Sequence, residues 1–183
     1  MANSHFNPWS ALFTDRQRLW IAMSDVGLLG TAAALYWAVG RFGAANVALY
    51  YGLPYLVVNA HLVLITYLQH TDTYVPHYRG EAFDFLRGSL ATVDRVYGGP
   101  LDTIFHHITD THVVHHLFHY LPWYHAQEAT EAVKPLLGAY YLHDPTPIWR
   151  ALYHSWSRCR FVEDEGAVVY FKGAEELAAG KTE

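Results

Sequence analysis

What this sequence has little of narrows it first. A single cysteine, Cys159, in 183 residues leaves no internal disulfide framework and fits a reducing compartment. Charge is scarce: Asp, Glu, Lys and Arg make up 16% of the chain, where soluble domains carry about a quarter. A basic surplus is missing, since the net charge is −5 with histidine neutral, and this excludes the basic stripe of a nucleic-acid binder. No Asp, Glu, Lys or Arg occurs between Arg41 and Asp72. The opening MANSHFNPWS lacks the charged and apolar regions of a secretory signal. Entry into a membrane is therefore expected to be directed by one of the chain's own spans.

Apolar residues and histidine fill the space that charge leaves. Hydrophobic residues reach 52%, yet the mean hydropathy of +0.02 is too low for a chain that lies wholly in lipid. An apolar part joined to a polar part reconciles the two. Leu19 to Val39 is largely apolar and would reach roughly 31 Å as a helix, about the thickness of a bilayer core. Ala44 to Leu68 supplies a second run, joined to the first by the short, Gly-rich GRFGAA. Pro54 predicts a kink in that second helix. Arg16 and Arg18 before the first run, against Arg41 in the turn, place both termini on the cytosolic side.

The expected fold is mainly α, with four parts. An N-terminal cytosolic or interfacial segment (1–18) leads into a transmembrane helical hairpin (19–70). A cytosolic, mostly helical region (71–172) follows, with a small β-hairpin in RFV-EDEG-AVVYF near the C-terminus, and then a frayed tail (173–183). Within the third part, Phe83, Leu86, Leu90 and Val93 repeat at helical spacing with Asp84, Arg87 and Asp94 off that face, predicting an amphipathic helix. Gly98-Gly99-Pro100 ends it, and a His-rich helix is expected from there to about Tyr120. Two more helices are predicted, one over Ala126 to Leu137 and one opened by Asp144-Pro145.

The 13 histidines outnumber the 12 lysines and arginines, and they concentrate in FHHITDTHVVHHLFHY, residues 105–120. His112, His115 and His116 stand at i, i+3 and i+4, which puts them on one helical face. Several neutral nitrogens in fixed positions suit a redox-active metal such as iron, and adjacent histidines suit two metals side by side. A solvated histidine face or a pH-responsive surface would show the same spacing. Asp110 is placed either to accept the free ring N–H of a ligating histidine or as a surface carboxylate. His61, nine residues before His70, lies about 13.5 Å from it along a helix and cannot share its metal; a hydrogen bond inside the bundle is the expected role.

With these motifs in view, the sequence resembles the membrane fatty acyl desaturases of the Δ12/ω-3 acyl-lipid branch. The resemblance runs through FTDRQR (13–18), PYLVVN (54–59), ITYLQHTD (65–72), VPHY (75–78), DFLRGSLATVDRVYG (84–98), FHHITDTHVVHHLF (105–118), PWYHAQEAT (122–130) and KPLLGAYY (134–141). It implies a di-iron enzyme that uses O2 and two electrons to introduce a cis double bond into an acyl chain, on an acyl-lipid or acyl-CoA carrier. It further implies cytochrome b5 or a b5-like donor, a multi-pass location in the endoplasmic reticulum membrane, and association into desaturase oligomers. By the same resemblance His112, His115 and His116 form the third histidine box and ligate iron, His70 joins them, and His106 is a weaker candidate. His107 and His119 are bystanders. Two earlier boxes of the family have no counterpart before residue 70, so the chain looks like the C-terminal portion of such an enzyme, incomplete as a catalyst alone. An acyl hydroxylase or conjugase on the same scaffold, or a non-catalytic membrane protein pairing with complete desaturases, are the competing expectations.

Overall fold

A computed structural model describes residues 4–174 and shows a mainly helical chain with a few two-residue strands. It divides into two compact units, residues 1–60 and 61–183.

The first unit is built from apolar helix. Helix α1 (Asp15–Phe42) opens at Thr14, whose backbone N–H donates to Gln17 Oε1 at 2.9 Å, satisfying one of the donors a helix start leaves over. Its 28 residues extend roughly 42 Å, and none of them is buried. Gly43 stops it at φ 85°, ψ 148°, a conformation essentially reserved for glycine. The chain resumes as α2 (Ala44–Val47), passes through a π-helical stretch (Ala48–Gly52) and continues as α3 (Leu53–His70). Pro54 was expected to kink this helix, and the π stretch lies directly before it. Proline has no N–H for the carbonyl of residue 50, so the ladder widens locally. Polar side chains here bond to their own helix: Thr31 Oγ1 donates to Gly27 O at 2.9 Å and Asn59 Nδ2 to Tyr55 O at 2.7 Å.

The second unit has a true core. The last turns of α3 bury Ile65 and Leu68, which cluster with Tyr97, Ile148 and Ala151. Around this core lie α4 (Phe85–Leu90), α5 (Gly99–Ile104), α6 (His112–Leu117), α7 (Ala126–Leu137) and α8 (Ile148–Arg158). Strand β1 (His77–Tyr78) pairs antiparallel with β4 (Val168–Val169), and β2 (Asp94–Arg95) pairs parallel with β3 (His143–Asp144).

Four expectations are corrected here. The amphipathic helix over 80–98 shrinks to the six residues of α4, and its supposed apolar face divides. Phe83 and Leu86 are exposed while Val93 is buried, and Asp94, expected off that face, is wholly buried in β2 together with Arg95. The His-rich helix breaks into α5 and α6, because His106 (φ 52°) and His107 (φ 60°) are left-handed and cannot continue a right-handed helix. The C-terminal hairpin is reduced to a single bridge, Phe161 to Lys172, since β4 takes β1 as its partner. Asp144 does not open a helix; it sits in β3, its carboxylate accepts the Thr146 N–H at 2.8 Å, and α8 begins at Ile148. Helix α7 has the expected limits. All but the first two residues of the expected frayed tail lie outside the described residues.

Candidate metal centre

The carboxyl end of α3 would leave its last carbonyls unpaired in the core, and the segment after α4 closes them. Arg95 Nε donates to Leu68 O at 2.8 Å, while Val93 N and Thr92 Oγ1 donate to Gln69 O at 3.1 and 2.8 Å. The Arg95 guanidinium, wholly buried, also holds Asp72 Oδ2 at 2.6 Å and Asp144 Oδ2, so two carboxylates neutralise and orient it. Gln69 Nε2 reaches the Thr109 carbonyl at 2.6 Å, tying this helix end to the loop that precedes α6.

A second buried carboxylate fixes the start of α6. Asp94 accepts the Val113 N–H at 2.7 Å and the Tyr141 hydroxyl at 2.6 Å. A carboxylate at a helix N-terminus meets unpaired N–H groups and the positive end of the dipole. Burial pushes Asp94 up to about 6, against the opposing effect of those donors. The loop itself is braced by Asp102, which accepts Tyr97 N at 2.9 Å, Gly98 N at 3.0 Å and Thr109 Oγ1 at 2.8 Å. None of these braces was foreseen from the sequence. Their signal was present as charge inside an apolar setting, but Asp94 had been placed on a solvent face.

With both helices fixed, three rings converge. The Nε2 atoms of His70, His112 and His116 lie 3.2 Å from one another, although residues 70 and 112 are far apart in sequence. His112 Nδ1 sits 3.0 Å from the Ile108 carbonyl, which can only accept; Nδ1 therefore carries the proton and Nε2 offers its lone pair to the centre. Burial, then the neighbouring histidines, lowers His112 to about 3; burial followed by His70 and His115 lowers His116 to about 4. Both rings are thus neutral near pH 7, the form a metal requires. Nitrogens on a tetrahedral centre with bonds of about 2.0 Å stand roughly 3.3 Å apart, so the triangle fits one metal ion. Imidazole donors suit iron and zinc alike.

The other candidates lie elsewhere. His115 is exposed and turns away from the triad into a cavity of about 330 Å³ that it shares with His106, His119, Thr111 and Trp123. Its ring centroid stays 5.6 Å from that of His112 and 5.8 Å from that of His116. His106 stacks on Trp123 at 4.6 Å. Asp110 faces His107, 3.0 Å from Nδ1, and not a ring of the triad; Gln127 Nε2 also reaches His107. His107, set aside as a bystander, thus helps lock the loop. His61 packs on Phe105, with centroids 5.3 Å apart.

The sequence pattern of the fatty acid desaturases matches residues 3–147 of this chain. The chain belongs to the fatty acid desaturase family. Among relatives of this desaturase-family chain, a Delta(12) fatty acid desaturase of Mortierella isabellina is 52% identical over 169 residues, covering 92% of this chain and 42% of the relative. An oleoyl-12-hydroxylase of Ricinus communis is 49% identical, with 89% and 42% covered. An endoplasmic reticulum omega-6 fatty acid desaturase of Brassica juncea is 50% identical, with 88% and 42% covered. The chain therefore spans about two fifths of the length of these relatives.

Proposed function

We propose that this chain carries the third histidine box of a membrane fatty acid desaturase that introduces a cis double bond into an acyl-lipid or acyl-CoA chain. The observation that carries the reading is the convergence of His70, His112 and His116 on one point at 3.2 Å spacing. When bound, a pair of irons would supply oxidation by O2 with two electrons from cytochrome b5 or a b5-like donor. In this reading His70, His112 and His116 hold one iron, and His115, whose ring lies 5.6 Å from that of His112 on the side of the neighbouring cavity, serves the second. His106 shares the His115 cavity and is the weaker candidate. With three imidazoles on the first iron, the second is left with His115 and at most His106, below the three protein ligands that a 2-His-1-carboxylate iron centre uses. Catalysis therefore needs ligands beyond those among the described residues.

Cobalt(II), a spectroscopic stand-in for iron, tests the site. The purified chain is expected to bind cobalt with bands that report imidazole ligation. His112→Ala and His116→Ala should each lower affinity by more than about 100-fold, beyond the loss typical of outer-shell changes. His119→Ala should leave it unaltered. Equal losses from all three substitutions would defeat the reading.

The apolar helices of 28 and 27 residues support a membrane hairpin, and Arg16 and Arg18 support cytosolic termini in the endoplasmic reticulum. Impermeant thiol reagents on sealed vesicles should reach Cys159 from the cytosolic side only. An acyl hydroxylase is the second reading, favoured by the 49% identity to an oleoyl-12-hydroxylase. Lipid products of the complete enzyme would separate the two, as a hydroxyl group or a double bond.

A further inference from the structure

Helix α8 has three distinct faces. Ile148, Ala151 and Ser155 are buried, and the first two join Ile65 and Leu68 of α3 in the core cluster. Arg150 and His154 lie on a second flank, lining a cleft with Asp72 and Asp144, where His154 Nδ1 comes within 3.5 Å of Asp72. The third flank carries Trp149, Tyr153 and Trp156, at i, i+4 and i+7, with exposures of 72%, 73% and 69%. Such exposure is costly in water for side chains of this size.

We propose that this aromatic flank docks α8 into the headgroup layer of the lipid bilayer; the inference rests on the membrane-spanning reading of α3. Two observations choose lipid as the occupant. The first is level. Ile65 and Leu68 stand about 7.5 and 3 Å along the axis from the end of α3 at His70. A bilayer's polar layer is roughly 5–8 Å deep on each side. A helix packed on those two residues therefore lies at the depth of that layer. The second is the division of chemistry around the axis. The cleft with its charged and polar lining is on one flank, whereas the aromatic flank pairs apolar rings with polar tips and is followed by the exposed Arg160, a suitable partner for lipid phosphate. Tryptophan and tyrosine collect at this boundary for the same reason. The consequence is positional: α8, held at the surface, would fix the end of α3, and with it His70, relative to the membrane.

The full chain carrying Cys159→Ser, reconstituted in vesicles of phosphatidylcholine and phosphatidylserine, allows a direct test. A fluorescent thiol label is introduced through Trp149→Cys, Trp156→Cys, Arg150→Cys or Val58→Cys, the last an exposed position of α3, one at a time. Lipid spin-labelled near the headgroup and aqueous iodide are the two quenchers; lipid labelled deep in the chain reads the Val58 position. Loss of fluorescence with headgroup-level lipid at 149 and 156, with protection from iodide, and the reverse at 150, is the expected result. Iodide quenching at 149 and 156 equal to that at 150, with Val58 quenched by deep-labelled lipid, would overturn the docking alone. Protection of 149 and 156 from both quenchers would mean a protein surface covers them, and would also overturn it. Absence of lipid quenching at Val58 would remove the spanning reading of α3 and this inference together.

Discussion

Residues 4–60 and residues 61–174 solve the burial problem in opposite ways. In the first region only Ser10 is buried; leucines, tryptophans and tyrosines line helices that have no core of their own. In the second, the most deeply buried side chains include Arg95, Asp94, Asp72, Gln69 and Thr109. Apolar surface without a core is inexpensive only where lipid replaces water, so the first region needs nothing more than length and composition. Buried charge is tolerated only where every group finds a partner, so the second depends on particular contacts between distant residues. The candidate metal centre belongs to the second kind of structure.

The sharpest way to break this comparison is to remove Arg95. Arg95→Met leaves the buried Asp72 and the half-buried Asp144 without this cation and the Leu68 carbonyl without its donor. Breaking a buried pair from one side costs about 3–5 kcal/mol. Thermal unfolding in detergent, followed by near-ultraviolet circular dichroism, should register that loss, together with loss of cobalt binding at the triad. Leu29→Ala, at an exposed position of α1, should shift the same transition by less than about 0.5 kcal/mol. Comparable effects from the two substitutions would erase the distinction between the regions.

Asp94 sharpens it further. Asp94→Ala strands the Val113 N–H and the Tyr141 hydroxyl, and should cost about 2–3 kcal/mol. Asp94→Asn separates charge from shape. Because burial raises the folded carboxyl to about 6, the folded chain holds this proton more tightly than the unfolded chain. The group's contribution to stability is therefore full below about pH 4 and is lost as pH rises through about 6. Measured as a difference from the parent, Asp94→Asn should gain in relative stability between pH 5 and pH 7.5. A relative loss over that range would reverse the assigned sign.

The same contrast explains what could be read from the sequence. The two long apolar helices were legible because run length decides them, and for the second the absence of charge from 42 to 71. The spacing put His112, His115 and His116 on one face without ranking them; in the structure His112 and His116, about 40° apart around the helix, meet His70, while His115, about 60° from His112 and 100° from His116, lines another cavity. Residues 84–98 misled, since helical spacing counted Asp94 as an outward charge. Its partners, Val113 and Tyr141, are 19 and 47 residues away, and no local pattern announces them. His106 and His107 were opaque for a related reason: their left-handed backbone is imposed by contacts such as His107 N to Asp102 O at 2.7 Å.

One position tests whether the first region is as indifferent to individual residues as its lack of a core suggests. Gly40 and Gly43 are three residues apart, and a β-carbon added at either would meet nothing within 4 Å. Space therefore cannot distinguish them; backbone conformation can. Gly43 has φ 85° and ψ 148°, where a side chain strains the chain by about 1–3 kcal/mol. Gly40 is inside α1, where alanine is better than glycine by about 1 kcal/mol. The amides to watch are Gly43, which donates to Val39 at 2.9 Å, and Val47, which donates to Gly43 at 3.2 Å. Hydrogen exchange in micelles should be faster at Val47 and at residue 43 in Gly43→Ala, and slower through the last turn of α1 in Gly40→Ala. Opposite signs would mean that a single backbone angle governs the link between the two apolar helices. Shifts of the same sign in both variants would mean that the lipid environment relaxes the turn, and that this region is specified by composition alone.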